Sequence, residues 1–268
     1  MTVCTGFYSR CFVAASLLFL LPLIVACAPG RGVVMEKYVA KDRTWSVAAD
    51  GRTVTYRGVL TAEGVERVVA WLNRYSEIRS LAIESQGGDV DAGMRLGDEV
   101  LKRNLDVEVI GSLCASSCAN YVFVSGRRKS IAPGAKVIWH GSPLRPEDIP
   151  VMDEVIGTDG SIEHELLEGD RLAAYLRRSD IAPVVEHERK RHQAFFKVRG
   201  VDGRVTTYGQ EVGCGCNWTF SVEDMHRLGI EDVVAEEGYP VSSPTSDELL
   251  VVALKLSDTF NRSKIVED

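Results

Sequence analysis

Two serines, one histidine and a pair of glycines follow one another along this chain in an order that suits nucleophilic attack on an acyl carbon. Ser116 and Ser117 fall between an apolar run, VEVIG at 107–111, and a second one over 117–125, so one hydroxyl stands where a helix begins. Unspent N–H groups and the helix dipole favour developing negative charge at such a point. Gly87-Gly88 ends another apolar run just before a helical pattern, and flexible backbone there can aim N–H groups at an incoming carbonyl oxygen. His140 ends a short extended segment behind Pro133-Gly134, from which an imidazole can face a cleft and accept a proton. Singly these features are ordinary: a serine at a helix start is usually an N-cap, a glycine pair a turn, a strand-end histidine structural or solvated. Their joint order and spacing carry the reading.

The elements that must position them alternate. Residues 53–60 read as a strand, 62–75 as a helix with Val65, Val68, Val69 and Leu72 on one face, and 79–85 as a strand. A helix over 92–104, a buried strand over 107–111, a helix over 117–125 and extended segments at 129–132 and 136–140 follow, and 229–234 closes the set. This predicts an α/β layered domain over 44–240 with largely parallel pairing. A more polar stretch, about 142–213, carries helical patterns at 163–178 and 181–197 and reads as an insertion or cap. The remainder, 241–268, reads as a C-terminal helix, about 247–256, and a tail.

The order of the blocks resembles the proteolytic subunit of Clp protease and its crotonase-like superfamily. In that subunit a strand leads into S-P-G-G-x-V-x-A-G-M, then come a helix, a strand, the nucleophilic serine opening an apolar helix that ends near a glycine, and P-x-x-x-V-x-I-H. Here Ser85-Gln86-Gly87-Gly88 with Val90, Ala92, Gly93 and Met94 match the first block, with Gln in place of Pro. Ungapped spacing through Leu105-Asp106-Val107, and counting back from Gly126, put the nucleophile on Ser117 with Ser116 before it. Pro133 to His140 keeps the family interval, and the segment from Phe220 to Asp232 resembles F-x-S-A-x-E-A-x-x-Y-G-L-V-D. More narrowly, Cys114-Ala115-Ser116-Ser117-Cys118 and Trp139-His140-Gly141 resemble a group of exported bacterial Clp-like proteins. In that group the Cys-x-Ser-x-Cys frame centres on Ser116, so the choice between the serines stays open.

The resemblance implies a crotonase-like (Clp protease-like) layered fold of repeated β-β-α units with a polar helical insertion. It also implies a serine peptidase: His140 accepts the proton of Ser117 or Ser116, the serine attacks a peptide carbonyl, and the N–H groups of Gly88 and Cys118 hold the oxyanion. The family's acidic member falls at Gly213; Glu211 is the nearest acid, and Asp148, Asp153 and Glu154 are further candidates. A missing acid weakens a Ser/His pair without abolishing it. The expected partner is a peptide or protein substrate, with no cofactor and no metal. The alternative is a non-catalytic envelope lipoprotein using the same fold as a binding or assembly module. Lesser alternatives are a crotonase-type acyl-thioester enzyme and a serine–lysine dyad through Lys129 or Lys136. Clp-like folds commonly assemble into rings or trimers, so a homo-oligomer is an expectation that the insertion after His140 could obstruct.

The ends and the cysteines speak to compartment. Arg10 is the one charge before position 31, and FVAASLLFLLPLIVA at 12–26 follows it, the shape of a signal peptide. At about 1.5 Å per residue that stretch falls short of a hydrocarbon core of roughly 30 Å. Ile24-Val25-Ala26-Cys27 resembles the bacterial lipoprotein signal, which implies cleavage after 26, lipid on Cys27, a tether over 27–43 and a cell-envelope location, lipid-anchored and facing the periplasm or exterior. An ordinary leader with an incidental cysteine is the alternative. Of seven Cys, Cys114, Cys118, Cys214 and Cys216 remain for an oxidising compartment. Three pairings exist, and sequence does not choose among them. A bridge between Cys214 and Cys216 would close a very small ring, so crossings between the 114/118 and 214/216 pairs are the easier geometry. Each would close a loop of about 100 residues, worth about 4 to 5 kcal/mol. A Cys₄ zinc site is the competitor.

A net charge of −7, with no basic run long enough to offset it, argues against nucleic acid as a partner. With 45% apolar residues, disorder is excluded. His164, His187, His192 and His226 lack metal spacing and read as solvated, and RKRH at 189–192 reads as part of a mixed-charge helical face.

Overall fold

The computed structural model describes residues 35–41, 44–148, 151–156, 162–240 and 251–262, with side chains outside the description at 35–36, 148, 152–156 and 162–165. The leader and Cys27 therefore lie outside the described residues. Period-two burial builds the opening meander: β1 (Met35–Val39), within the stretch expected to be tether, β2 (Trp45–Asp50) and β3 (Thr53–Gly58) run antiparallel. Trp45, Val47 and Ala49 of β2 and Val54 and Tyr56 of β3 point into the core. Thr61 then caps α1 (Ala62–Arg74) by accepting the Gly64 N–H at 3.1 Å, and α1 buries the expected stripe together with Trp71. β4 (Ser80–Ser85) leads to α2 (Val90–Lys102). This helix starts two residues before the periodic pattern because the Asp89 carboxylate accepts the Ala92 N–H at 2.7 Å.

β5 (Asp106–Ala115) carries the chain to an irregular buried segment: a π-helical turn, Cys118–Val122, runs straight into a 3-10 turn, Phe123–Ser125, in place of the regular helix expected there. α2 presses on this segment through its glycines, and a Cβ on Gly97 would lie 2.5 Å from the Tyr121 carbonyl oxygen. β6 (Lys129–Ile131) and β7 (Lys136–Ile138) follow. Beyond them the insertion departs from its expected helicity. β8 (Val151–Ile156) and β9 (Ile162–Leu167) form an antiparallel pair, and only α3 (Gly169–Leu176) of the 163–178 pattern is helical. Cross-strand pairing overrides the helix preference of its Glu and Leu residues.

α4 (Ala182–Arg199) forms as expected, with Pro183 in its first turn and Gly200 left-handed at its end, φ +66°. Its Phe195 and His192 rings meet Tyr121 edge-on at 5.3 and 5.4 Å, so the insertion shares the core of the rest. His192, read as solvated, is fully buried there, with its Nδ1 3.3 Å from the Tyr121 hydroxyl. The mixed-charge reading of its neighbours agrees with the Arg189–Glu186 and Arg191–Glu188 pairs.

The chain ends through α5 (Tyr208–Glu211), β10 (Asn217–Phe220), α6 (Val222–Arg227), β11 (Val233–Val234) and β12 (Val251–Leu254). β12 corrects the expected final helix over its four residues: β-branched Val251 and Val252 pair in parallel with Asn217 and Trp218. The main sheet has eight strands, ordered β1-β2-β3-β4-β5-β6-β11, with β7 attached to β5. From β3 onward its pairings are parallel, so the architecture is α/β with a mixed, mostly parallel sheet. Among the described residues no helix is long and apolar enough to cross a membrane.

One irregularity prepares the site. Ile83 pairs with Val109, but Ser85 pairs with Cys114, so two steps along β4 correspond to five along β5. At this bulge Gly111 is left-handed, φ +65°, and the Glu84 carboxylate accepts the Ser112 N–H at 2.9 Å. Below it β5 pairs with β6; above it, with β7.

Candidate functional site

The candidate residues gather at the carboxyl ends of β4, β5 and β7, where open α/β sheets form crevices. Just past β5, Ser116 has φ +54°, a conformation that costs a side-chain-bearing residue about 1–2 kcal/mol. Three restraints hold it there. Its N–H donates to the Ile138 carbonyl at 3.1 Å, its carbonyl accepts the Asn120 N–H at 2.8 Å, and a disulfide joins Cys114 to Cys118 across it. Gly87, φ +95°, packs on its other side, where a Cβ would lie 2.6 Å from the Ser116 Cβ and 2.7 Å from the Ala115 oxygen. Ser116 is half-buried, and its hydroxyl has no hydrogen-bond partner among the described residues.

Ser117 is placed differently. It is 2% exposed, its hydroxyl donates to the Gly88 carbonyl at 2.9 Å, and its Cβ lies against Gly93 of α2. The spacing that favoured Ser117 thus leads to the enclosed, committed hydroxyl, and the strained, uncommitted one is Ser116. Gly88 is exposed at φ +141°. The chain passes Leu60 through Leu60 N–H to Gly87 O at 2.8 Å and Asp89 N–H to Leu60 O at 3.0 Å, which skips the Gly88 N–H. Cys118 is fully buried and opens the π turn, so its N–H has no intrahelical acceptor. Neither N–H has a hydrogen-bond partner among the described residues.

His140 lies beyond β7, after Trp139, whose N–H and carbonyl both pair with Trp218 at 2.8 Å. The pairing of Ala115 with Ile138 sets the two chains side by side as they leave the sheet, toward Ser116 on one and His140 on the other. The imidazole is exposed and is hydrogen-bonded to neither serine. Protein packed around its base still lowers its pKa below the ordinary imidazole value by desolvation, which outweighs the opposing hydrogen bond to its own backbone. A neutral ring is the form a proton acceptor needs.

Two amides that sequence reasoning did not single out clamp the two peptides after that ring. Gln210 Nε2 of α5 donates to the His140 carbonyl at 3.0 Å, and Asn120 Nδ2 of the π turn donates to the Gly141 carbonyl at 3.2 Å. The oxygens of both amides are buried without a hydrogen-bond partner among the described residues. Asn120 was legible as a polar side chain in an apolar run; nothing in the pattern marks Gln210.

No carboxylate is hydrogen-bonded to His140 among the described residues. Gly213 is a turn residue at φ +74° with open space around it, and Glu211 accepts the Thr207 hydroxyl at 2.9 Å. The side chains of Asp148, Asp153 and Glu154 lie outside the description. Lys129 is buried with its ammonium on the Glu231 carbonyl at 2.7 Å, and neither Lys129 nor Lys136 is bonded to a serine.

The cysteine pairing differs from the expected crossings. Cys114 bonds Cys118 and Cys214 bonds Cys216, with Cα atoms 5.3 and 5.2 Å apart. The left-handed turn at Ser116 folds the first pair back to bridging distance, and in the second Gly215 alone separates the cysteines. Both bridges consume the thiolates that a Cys₄ zinc site would use. A cavity of about 520 Å³ lies elsewhere, lined by Glu223, Asp224 and Arg227 of α6 with Lys255 and Asp258, and holds none of the candidate residues. No known family model matches the chain, and no curated protein matches it.

Proposed function

We propose that the chain is a serine hydrolase of peptide bonds with Ser116 as nucleophile and His140 as general base. The observation that carries this reading is the uncommitted hydroxyl of a residue held left-handed at a strand end, where strain clusters with function. An exposed ring with no partner on another residue turns at little cost, and apo geometry at such pairs is often loose. In the reaction an imidazole nitrogen takes the Ser116 proton as Oγ bonds to the peptide carbon. The oxyanion then meets the Gly88 and Cys118 N–H groups. Collapse breaks the C–N bond, the amine leaves with the proton carried by His140, and water repeats the sequence on the acyl-enzyme. General-base help contributes about 10²–10⁴-fold and each oxyanion donor about 10²–10³-fold.

The crotonase-like, Clp protease-like fold belongs to the same proposal; the mostly parallel sheet and the site at its strand ends support it. So does export with lipid on Cys27, which a palmitate analogue would label in the wild type and not in Cys27→Ala. A fluorophosphonate probe tests the chemistry: labelling that maps to Ser116 and disappears in Ser116→Ala, with a large loss in His140→Ala, is the expected result. The second reading, a non-catalytic envelope module, draws support from a ring that has no partner on another residue, a carboxylate included, among the described residues; no labelling under any oxidised condition is its signature.

A further inference from the structure

Resting on the serine hydrolase reading, we infer that Gln210 is the positioning residue for His140, filling with an amide the place that a carboxylate takes in a Ser-His-acid triad. The Gln210 amide cannot be reversed, because that would set its oxygen against the His140 carbonyl oxygen; its nitrogen must face the main chain, as it does at 3.0 Å. Its oxygen is thereby fixed beside the same residue, buried and without a donor among the described residues. A buried acceptor left unmet costs about 1–3 kcal/mol, so an arrangement that satisfies it is favoured.

The imidazole N–H of His140 is the donor at hand. Its ring is bonded to no other residue among those described, and it springs from the residue whose carbonyl the amide already holds. An amide presents donor and acceptor side by side, so one Gln210 can take the His140 carbonyl and its Nδ1–H together. That places the proton on Nδ1 and leaves the Nε2 lone pair for the Ser116 hydroxyl. The backbone makes room for this contact: Gly141 is at φ +137°, and a Cβ there would lie 2.5 Å from the Gln210 nitrogen. Asn120 holds the next carbonyl, so the His140–Gly141 peptide is fixed from α5 and the Gly141–Ser142 peptide from the serine's own turn. Desolvation holds the His140 pKa below the ordinary imidazole value, and an amide, which adds no charge, is consistent with a ring kept neutral.

The test uses the oxidised full chain and two independent readouts. Long-range ¹⁵N correlation, with His140 assigned among the five histidines by its loss in His140→Gln, reads the tautomer. The wild type should carry its proton on Nδ1, and Gln210→Leu should move the ring toward the Nε2–H form. Fluorophosphonate labelling of Ser116 should slow about tenfold or more in Gln210→Leu. In Gln210→Glu it should stay within a few-fold, with the acid limb of its pH profile moved to higher pH because a carboxylate stabilises the imidazolium. Gly141→Ala, which displaces the amide without altering it, should mimic Gln210→Leu, and unchanged circular dichroism identifies folded variants. An unchanged tautomer and labelling rate in folded Gln210→Leu and Gly141→Ala overturn the assignment of Gln210 while leaving the Ser116/His140 reading intact. Labelling that ignores Ser116→Ala and His140→Ala overturns that reading instead, and the tautomer measurement then judges Gln210 by itself.

Discussion

Ser116 is fixed by its N–H on Ile138, its carbonyl under Asn120 and a disulfide across it, whereas the ring of His140 is held by no other residue among those described. The two halves of the proposed pair are built differently: strain and covalent restraint on the nucleophile, main-chain clamps and a free ring on the base. In the proposed reaction the fold sets the serine in advance and the imidazole aligns as substrate arrives. Ser116→Ala should accordingly produce the largest effect, a fall in probe labelling of about 10³-fold or more. If Ser117→Ala did this instead, the contrast between the two halves would be broken.

A second contrast sets the exposed His140 against His192, buried beneath the serine's turn. Burial pushes the His192 pKa down to about 4, well under the unfolded value of about 6.5. The unfolded chain therefore binds the extra proton first. The stabilisation from a neutral His192 is complete above about pH 6.5 and is lost as pH falls toward 4, at most about 3 kcal/mol. Urea midpoints at pH 7, 5 and 4 should trace that loss, and His192→Phe should flatten it. As the proposed base, His140 should act on rate instead: labelling should fall on acidification with a midpoint below the ordinary imidazole value, since only the neutral ring accepts a proton.

The two disulfides sharpen the comparison further. Each closes a short loop, worth about 2 kcal/mol on the chain-entropy model. Replacing Cys114 and Cys118 together by Ala should cost that stability and also slow labelling, while the same change at Cys214 and Cys216 should cost stability alone. Equal loss of labelling from both would mean that the bridge over Ser116 has no special part. The smallest effect belongs to Ser117→Ala, about 1 kcal/mol from the lost hydrogen bond to Gly88, with labelling within about tenfold of the wild type.

What could be read in advance follows the range of the interaction. α1 and the strands before and after it were visible because a single face is buried at a regular period, as in Val65, Val68, Val69 and Leu72. Asp89 shows how one side chain moved a boundary by two residues. The helix expected over 163–178 and the one near the C-terminus failed where distant pairing decides, β9 on β8 and β12 on β10. At the site, the residue types and their order were legible in Gly87, Ser116 and His140. The different placing of the two serines was not, because it depends on a left-handed turn where three strand ends meet. The Cys114–Cys118 pairing escaped the sequence for the same reason, and Gln210 carries no local signature at all.

The uneven register of β5 has a consequence for heredity as much as for shape. The residues between Val109 and Cys114 act as slack that decides which way every later side chain points, since a slip of one position exchanges the two faces of a strand. Deleting Ser112 would trade the open hydroxyl of Ser116 for the sealed one of Ser117, a swap that peptide mapping of probe-treated protein would reveal. Codon loss in this short stretch should therefore be far more damaging than most replacements within it.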